Sequence, residues 1–506
     1  MGSVNYGICN SCRRRVPAEH VIRDGKVYLK KNCPDCGPTE ALVSSKAARW
    51  QRKREICQYD PNAPLHCTLY CETCRHRHRP RMVFLDVTNR CNMNCPICIA
   101  NIPGMGFEFH PPLSYFEKVL AGLGRMDPKP IVMLFGGEPT MRSDLFEILD
   151  LCRANGLDPR IVTNGLKLAN EEYCKRICDY QPHVLLAFDG RDPQIYTRLR
   201  KSPHAYEKKL KALENLKKYS KRRITLMCCV ARHINDRHMA DLIQFCHDNR
   251  HYIKCLHLIP LTETWKEGEF ETDITTTTED VEEIINEAFP GERVDFVPAG
   301  LSECMRRVGQ FFHKPPVQFG GVHPNCESGA YLVSDGERYR PASYYLKRSL
   351  DDIAQDMVVL ARRIEGRLAR LDPDRWLQRL RGRLLICRTF AGLVLRSVNF
   401  KRVTKGNPLL ALLRIAVGFA LGRRPEDLIR RHTNVQGLML MIVLPFEEYH
   451  SVESARLENC FAAFAYLDPD TDEVKTVPVC MWGSYKPNVQ RKLAQKYRAE
   501  TVASST

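Results

Sequence analysis

The 506-residue sequence has no long hydrophobic run, since uninterrupted apolar stretches of about 18 residues are absent. A helix that crosses a bilayer needs about 20 such residues, so we expect no membrane-spanning segment. The first residues lack the basic-then-apolar pattern of a secretory signal, and Tyr6 breaks the myristoylation pattern. We therefore expect a cytoplasmic protein, and peripheral attachment to a membrane stays open.

Cysteine, by contrast, is abundant, with 23 residues. Secreted proteins that depend on disulfide bonds are usually short chains with a signal, and this chain is long and shows no signal pattern. Many of its cysteines stand in CxxC or CxxxCxxC spacings, which are typical of metal and iron–sulfur ligation. The sequence therefore predicts metal sites rather than a disulfide framework.

From Met82 onwards, short apolar runs alternate with helical patterns, which predicts a parallel sheet with right-handed crossovers. The expected fold class is α/β, namely a partial (β/α)6 barrel. A Cys-rich metal-binding region precedes this barrel, and a helical, basic C-terminal extension follows it. The six predicted strands are Met82–Thr88, Ile131–Gly137, Arg160–Gly165, His183–Gly190, Ile224–Val230 and Lys254–Pro260.

The chain divides into five predicted regions. Residues 1–80 are Cys-rich, and residues 81–262 form the barrel. Residues 263–345 close the barrel and bring further cysteines, and residues 346–435 are basic amphipathic helices. Residues 436–506 carry the last two cysteines.

The core motif is CxxxCxxC, formed by Cys91, Cys95 and Cys98 directly after the first predicted strand. A tight loop can wrap three such thiolates around one face of a 4Fe–4S cluster, so that the protein holds three of its four irons. A second motif ends the next strand. Its glycines permit close backbone approach, and its carboxylate and peptide carbonyls can accept bonds from an ammonium group. This second motif is Gly136-Gly137-Glu138-Pro139.

The pairing of these motifs resembles the radical SAM superfamily over roughly residues 81–260. The resemblance implies that S-adenosylmethionine (SAM) binds the fourth iron and that its one-electron cleavage gives a 5′-deoxyadenosyl radical. It also implies that Gly136–Pro139 binds the SAM amino group and that Thr163, Asn164 and Asp189 lie near the ribose or methionine. Ordinary strand-end turn chemistry is the alternative explanation for these three residues. The sequence offers no secure catalytic acid or base, because the cofactor carries the chemistry.

Two CxxC pairs near the start, Cys9 with Cys12 and Cys33 with Cys36, are separated by 20 residues. Each pair can form a knuckle, and together they predict a tetrahedral four-sulfur site. Zinc and a rubredoxin-like iron both fit this spacing. A ribbon of this kind often binds nucleic acid, so a nucleic-acid-binding protein is an alternative function of another class.

A second CxxxCxxC, formed by Cys67, Cys71 and Cys74, precedes the core motif. With Cys57 as the fourth ligand it predicts an auxiliary 4Fe–4S cluster, and a partial zinc site is the alternative. The remaining isolated cysteines in turn-like contexts suggest a second auxiliary cluster, against the alternative that each is a buried thiol. These residues are Cys304, Cys326, Cys460 and Cys480.

The ribbon, both CxxxCxxC motifs and the Cys460…Cys480 ending together resemble the tetraether lipid synthase family. Its members join two lipid hydrocarbon chains at unactivated carbons, using a radical SAM cluster, auxiliary 4Fe–4S clusters and a rubredoxin-like centre. The resemblance implies a lipid substrate or membrane partner and an electron donor such as ferredoxin or flavodoxin. Some relatives are linked to C-methylation, so a radical SAM methyltransferase acting on a soluble ring such as a pterin is the alternative.

The net charge of +17 is concentrated in one segment. Residues 362–431 hold 18 Lys and Arg against 5 Asp and Glu, interleaved with Leu, Ile and Val. Basic amphipathic helices bind anionic membrane surfaces or lie solvated on a fold, and both readings stay open. We expect no dedicated nucleic-acid partner, because a binding module needs neither the CxxxCxxC motif nor the Gly-Gly-Glu-Pro motif.

Overall fold

The N-terminal region folds as an antiparallel sheet followed by one helix, in a computed structural model that describes residues 4–71, 80–263, 269–272, 274–312, 321–420, 424–446 and 450–503. Asp24 and Gly25 both have positive φ and form the two-residue turn of a hairpin. Val27 and Leu29 are buried on one face of the following strand. The elements are β1 (Tyr6–Ile8), β2 (Arg15–Arg23), β3 (Lys26–Cys33), β4 (Gly37–Ser44) and α1 (Ala47–Cys57).

The six predicted barrel strands are confirmed, and each pairs in parallel with its neighbour. Three of them end before the last glycine that the prediction included, because turn residues do not join the ladder. In chain order the elements are β5 (Met82–Thr88), α2 (Leu113–Gly124), β6 (Ile131–Gly136), α3 (Leu145–Ala154), β7 (Asp158–Thr163), α4 (Glu171–Asp179), β8 (His183–Ala187), α5 (Pro193–Arg200), α6 (Ala205–Tyr219), β9 (Ile224–Val230), α7 (Met239–Asp248) and β10 (Ile253–Pro260).

A mixed region and a set of basic helices follow the barrel. The helical character predicted for the basic segment agrees with the structure. Among the described residues, each helix is too short or too polar to cross a membrane. The elements are α8 (Thr278–Glu287), β11 (Val297–Pro298), α9 (Gly300–Cys304), α10 (Arg306–Gln310), β12 (Ser328–Ser334), β13 (Tyr339–Pro341), α11 (Leu350–Ala369), α12 (Trp376–Ser397), α13 (Phe400–Val403), α14 (Pro408–Ala420) and α15 (Pro425–His432).

The C-terminal region adds a parallel strand at each edge of the barrel sheet, which the sequence did not predict. One strand pairs with β10 and the other with β5, while antiparallel strands flank both, so the sheet stays open. The elements are β14 (Gly437–Val443), α16 (Ser454–Leu457), β15 (Ala462–Leu467), β16 (Val474–Pro478) and α17 (Val479–Ala503).

The curved sheet separates an outer core from an inner cavity. The outer core lies between the sheet and its helices, where side chains such as Phe116, Leu149 and Leu216 are fully buried. The inner cavity, which we call the lumen, has a volume of about 1060 Å³. Strands β5 to β10 contribute to its lining, together with β14 and β15. The fold is therefore an open, partial barrel around one large cavity.

Candidate functional site

The three cysteines of the core motif lie on a loop that leaves the carboxyl end of β5. Asn89, at the start of this loop, binds the backbone at the end of the loop. Its Nδ2 donates to the Phe107 carbonyl at 2.6 Å, and its Oδ1 accepts from the Phe109 amide at 2.8 Å. Cys91, Cys95 and Cys98 are half-buried within the loop. The cysteine loop is thus positioned by one side chain that no metal-binding pattern would have singled out.

Two glycines bring the end of β6 against the start of this loop. A Cβ atom on Gly136 would lie 2.3 Å from the Thr88 carbonyl oxygen, and one on Gly137 would lie 2.3 Å from that of Arg90. Gly136 also has φ +125°, which other residues rarely adopt. Glycine is therefore required at both positions for the close backbone approach that the motif predicts.

Glu138 ties the carboxyl ends of β6 and β7 together. Its carboxylate is 1% exposed. It accepts bonds from the Thr140 amide at 3.1 Å, the Thr140 hydroxyl at 2.6 Å, the Thr163 hydroxyl at 2.7 Å and the Asn164 amide at 2.7 Å. Most of its acceptor capacity is therefore used within the protein. Binding of the SAM amino group by Gly136–Pro139 stays a prediction.

Asn164 and Asp189 follow different strands and differ in accessibility. The Asn164 Nδ2 atom donates to Asn92 Oδ1 at 2.7 Å and lies 3.8 Å from Cys91 Sγ, so this residue contacts the cysteine loop. Asp189 is completely buried and accepts both Nε and Nη2 of Arg200, at 2.9 and 2.8 Å. Asp189 therefore orders the strand end, as the turn-chemistry alternative holds, and its contact with a ligand stays a prediction.

Two cations, the buried Lys209 and the half-buried Arg200, lie near Cys95, and sequence reasoning missed both. Burial raises the pKa of the Cys95 thiol, and the charges of Arg200 and Lys209 oppose this rise. Lys209 Nζ donates to the carbonyls of Asn164 and Ala187, each at 2.6 Å, which links the ends of β7 and β8. Because thiolate-bound clusters are anionic, these cations stabilise the charge that such a cluster brings. No motif marks either residue; each stands on a helix after β8.

The residues around the loop fit a 4Fe–4S cluster. Three thiols share one loop, and two cations lie close to it. Two glycines let the neighbouring strand end approach the backbone at the start of this loop. Burial raises the pKa of the Cys91 thiol to about 12, and a bound metal offsets that cost because coordination removes the thiol proton. When bound, the cluster supplies the one-electron reduction that cleaves SAM.

The ribbon cysteines come together as predicted. The Sγ atoms of Cys9, Cys12, Cys33 and Cys36 all lie within 4.8 Å of one another. The backbone amide of Cys12 donates to Cys9, which lowers the pKa of that thiol to about 6 and favours the metal-binding thiolate. This geometry fits a single tetrahedral ion.

Each predicted auxiliary set loses one member, and the two lost cysteines lie against each other. Cys57 does not lie with Cys67 and Cys71; its thiol is within hydrogen-bonding reach of the Cys304 thiol instead. The Cys304 Sγ atom also donates to the Cys57 carbonyl at 3.5 Å. The reason is that α1 and α9 pack against each other in a core separate from the one around Cys67. Cys74 lies outside the described residues.

The other three cysteines of the second predicted set face the lumen. Cys326, Cys460 and Cys480 all contribute to its lining, and the thiols of Cys326 and Cys480 act electrostatically on that of Cys460. Cys304 is not part of this group, because it lies against Cys57. A cluster held by the three remaining cysteines stays a prediction.

The lumen walls are mainly apolar. The wall side chains alternate along the strands with side chains that point to the outer core, as the period of two requires. They include Phe84, Met133, Phe135, Val162, Leu185, Met227, Ile259, Leu440, Ile442 and Phe464. Residues 99–101, which directly follow Cys98, line the same cavity. The lumen is therefore open to the cysteine loop.

Two family models match this chain. The model of the radical SAM superfamily matches residues 85–246, and that of the HMPTM N-terminal zinc ribbon domain matches residues 4–45. Among solved structures, native anSMEcpe with bound AdoMet and Cp18Cys peptide is 16% identical, with a TM-score of 0.36 over 58% of this chain and 81% of that one.

Curated relatives share part of the sequence. The 7,8-dihydro-6-hydroxymethylpterin dimethyltransferase of Methanocaldococcus jannaschii is 29% identical over 66% of this chain and 69% of its own length. The AdoMet-dependent heme synthase of Methanosarcina barkeri is 30% identical over 28% of this chain and 40% of its own. The mitochondrial GTP 3′,8-cyclase of Arabidopsis thaliana is 28% identical over 35% of this chain and 45% of its own.

Proposed function

Because the chain is a radical SAM enzyme, we propose that it cleaves SAM at Cys91, Cys95 and Cys98 and uses the resulting radical on a substrate held in the lumen. The observation that carries this proposal is the continuity of the lumen with the cysteine loop. The protein's own residues position the reaction. Asn164 contacts the loop, and Lys209 and Arg200 supply the charge beneath it.

C-methylation of a soluble ring such as a pterin is the first candidate reaction. It is supported by the pterin dimethyltransferase, whose similarity to this chain covers about two thirds of both sequences. The matching zinc-ribbon model adds support, because the likeness then includes a region outside the SAM-cleaving core.

Carbon–carbon bond formation between lipid hydrocarbon chains is the second candidate. Two observations favour it: the apolar walls of the lumen, and a surface on α12 and α14 that exposes large apolar side chains next to many arginines. Such a surface fits peripheral binding to an anionic membrane. Its most exposed apolar side chains are Trp376, Leu384, Leu395, Leu409 and Leu413.

The two reactions differ in what becomes of SAM. Methylation gives a methylated pterin, and where a second SAM is the methyl donor, turnover with methyl-labelled SAM also gives S-adenosylhomocysteine and a labelled product. Lipid coupling gives 5′-deoxyadenosine without label in the product. Anaerobic turnover with the reconstituted enzyme and each substrate class separates them. Absence of 5′-deoxyadenosine with every substrate and with reductant would refute the shared proposal.

Binding to liposomes tests the lipid candidate independently. We expect wild-type protein to co-sediment with anionic liposomes and to dissociate as salt rises, since exposed charges are screened within about 10 Å at 0.1 M salt. Leu409→Asp with Leu413→Asp should weaken this binding at least about tenfold, because each buried leucine contributes about 1.5–3 kcal/mol. Ile22→Asp with Ile274→Asp, also exposed but elsewhere, is the matched control. Equal sedimentation of both variants would count against the membrane surface.

A further inference from the structure

Basic side chains gather at one end of the lumen, near the amino ends of four adjacent strands. Arg160 is the third residue of β7 and pairs in register with His183, the first residue of β8. Thr225 and Lys254 are the second residues of β9 and β10. All four contribute to the lumen lining. We call this set, with His257 from further along β10, the basic end.

The charged groups of the basic end are weakly paired or unpaired. Arg160 Nε is 3.9 Å from Asp158, whose carboxylate accepts a bond from Arg222 at 2.9 Å instead. The Arg160 Nε atom is buried and forms no hydrogen bond. Among the described residues, Lys254 has neither an ion pair nor a hydrogen bond. Two cations therefore face the lumen without a carboxylate between them.

A buried histidine at the same place also has a free ring nitrogen. His183 is 2% exposed, and its Nε2 bonds the Thr225 hydroxyl at 3.0 Å, while its Nδ1 has no partner. Burial, together with the charges of Arg160 and Lys254, lowers the pKa of His183 to about 3 and that of His257 to about 4. An unpaired polar group in a desolvated site costs free energy that a ligand of opposite character recovers.

We propose that the basic end binds an anionic group, a phosphate or a carboxylate, at the end of the substrate that occupies the lumen. Arg160 presents the fork of donors that matches two anion oxygens, and Lys254 adds a point charge. His183 Nδ1 supplies a further hydrogen bond. The inference rests on the proposed use of the lumen as the substrate site.

The same strand fixes how far the anion lies from the reaction. Asn164, which contacts Cys91 and directly follows β7, is four residues beyond Arg160, which corresponds to about 13 Å of extended chain. The walls between these two ends are apolar. The substrate is thus an elongated molecule with an anionic end and an apolar body. Where that end is a phosphate, it belongs either to a lipid headgroup or to a small phosphorylated compound.

Binding of three probes to the anaerobically reconstituted protein tests the inference: decyl phosphate, decanol and inorganic phosphate, each followed by calorimetry. We expect decyl phosphate to bind more tightly than decanol. Arg160→Gln and Lys254→Gln should each weaken decyl phosphate binding about 10- to 100-fold and leave decanol unchanged, because a bond to a charged group is lost. Arg125→Gln, which replaces an exposed arginine at the end of α2, is the matched control and should bind like wild type.

The probes also distinguish the source of the phosphate. Tight binding of inorganic phosphate with the same sensitivity to Arg160→Gln supports a small phosphorylated compound, and preference for decyl phosphate supports a lipid headgroup. The inference is overturned if both lumen variants bind decyl phosphate like wild type. Formation of 5′-deoxyadenosine, measured in the same samples, reports the proposed function separately, because neither variant touches the cysteine loop.

Discussion

The two ends of the lumen are built in different ways. At the carboxyl ends of β5, β6 and β7, contiguous motifs place Cys91, Gly137 and Glu138 through close backbone contacts and shared hydrogen bonds. At the amino ends of β7 to β10, isolated residues such as Arg160 and Lys254 come together only because their strands share one sheet, with Lys254 at a register shift between β9 and β10. The residues of the first end can be recognised as motifs in the sequence. Those of the second end can be recognised only from the folded structure. The end with the cysteine loop would support SAM cleavage, which many enzymes share. The basic end would determine which substrate binds.

The largest expected effect is on SAM cleavage, which a substitution at the cysteine loop should abolish and one at the basic end should not change. Cys95→Ala should abolish reductive cleavage of SAM, because three thiolates are needed to hold the cluster. Arg160→Gln should leave cleavage in the absence of substrate close to wild type. Quantifying 5′-deoxyadenosine under dithionite checks both variants. Wild-type cleavage by the Cys95→Ala protein would refute the assignment of the core motif.

A smaller change at the same end tests the backbone approach. Gly137→Ala should lower cluster occupancy severalfold, because its Cβ would lie 2.3 Å from the Arg90 carbonyl and the cysteine loop would have to move. Gly392→Ala, where no atom lies within 4 Å, is the control and should keep full occupancy. Iron content and the visible spectrum of both proteins give the answer. Equal occupancy would mean that the loop tolerates the displacement.

The iron content of two variants compares the three lumen cysteines with the pair Cys57 and Cys304, which lies outside the lumen. If Cys326, Cys460 and Cys480 hold an auxiliary cluster, Cys460→Ala should reduce the iron content by about four atoms per chain. Cys304→Ala should leave the iron content unchanged, because Cys304 lies against Cys57. Iron and sulfide analysis after anaerobic reconstitution distinguishes the two. An equal loss of iron in both variants would restore the four-cysteine set.

The smallest expected effect concerns the charge of the basic end. His257 has a pKa of about 4 when folded, because of burial and the charges of Arg160 and Lys254, against about 6.5 when unfolded. The unfolded chain therefore binds more protons below pH 6.5, and stability falls as the pH drops from about 6.5 towards 4. His257→Gln should flatten this slope, by on the order of 1–3 kcal/mol over the window. Urea unfolding at pH 7 and pH 5 measures the change, and an unaltered slope would contradict it.

The sequence was sufficient for the six central strands because each is a short apolar run between helical patterns, as in Ile224–Val230. It was insufficient for β14 and β15, which come from distant segments and whose partners are set by the curvature of the whole sheet. Strand β14 lies in an apolar run, but nothing local specifies that it pairs with β10. Element type is a local property, whereas edge pairing is not.

The cysteines show the same limit. Where four ligands fall within one short antiparallel sheet, as in the ribbon, the spacing sufficed to predict their convergence. Where ligands are far apart in sequence, as with Cys57 and Cys304, helix packing decided which thiols meet. The cations Arg200 and Lys209 were missed for a related reason, since a charged residue on a helix normally indicates a solvated face.

The pairing of β5 with β15 also constrains how the chain is made. Met82 pairs with Ala462, so roughly 380 residues are translated between the two strands. At a ribosomal rate of about 5–20 residues per second, this takes on the order of 20–80 s. Throughout that interval the nascent barrel presents β5 as an uncovered edge strand, a form prone to pairing with other chains. The edge of β5 is therefore covered only late in synthesis, once β15 has left the ribosome.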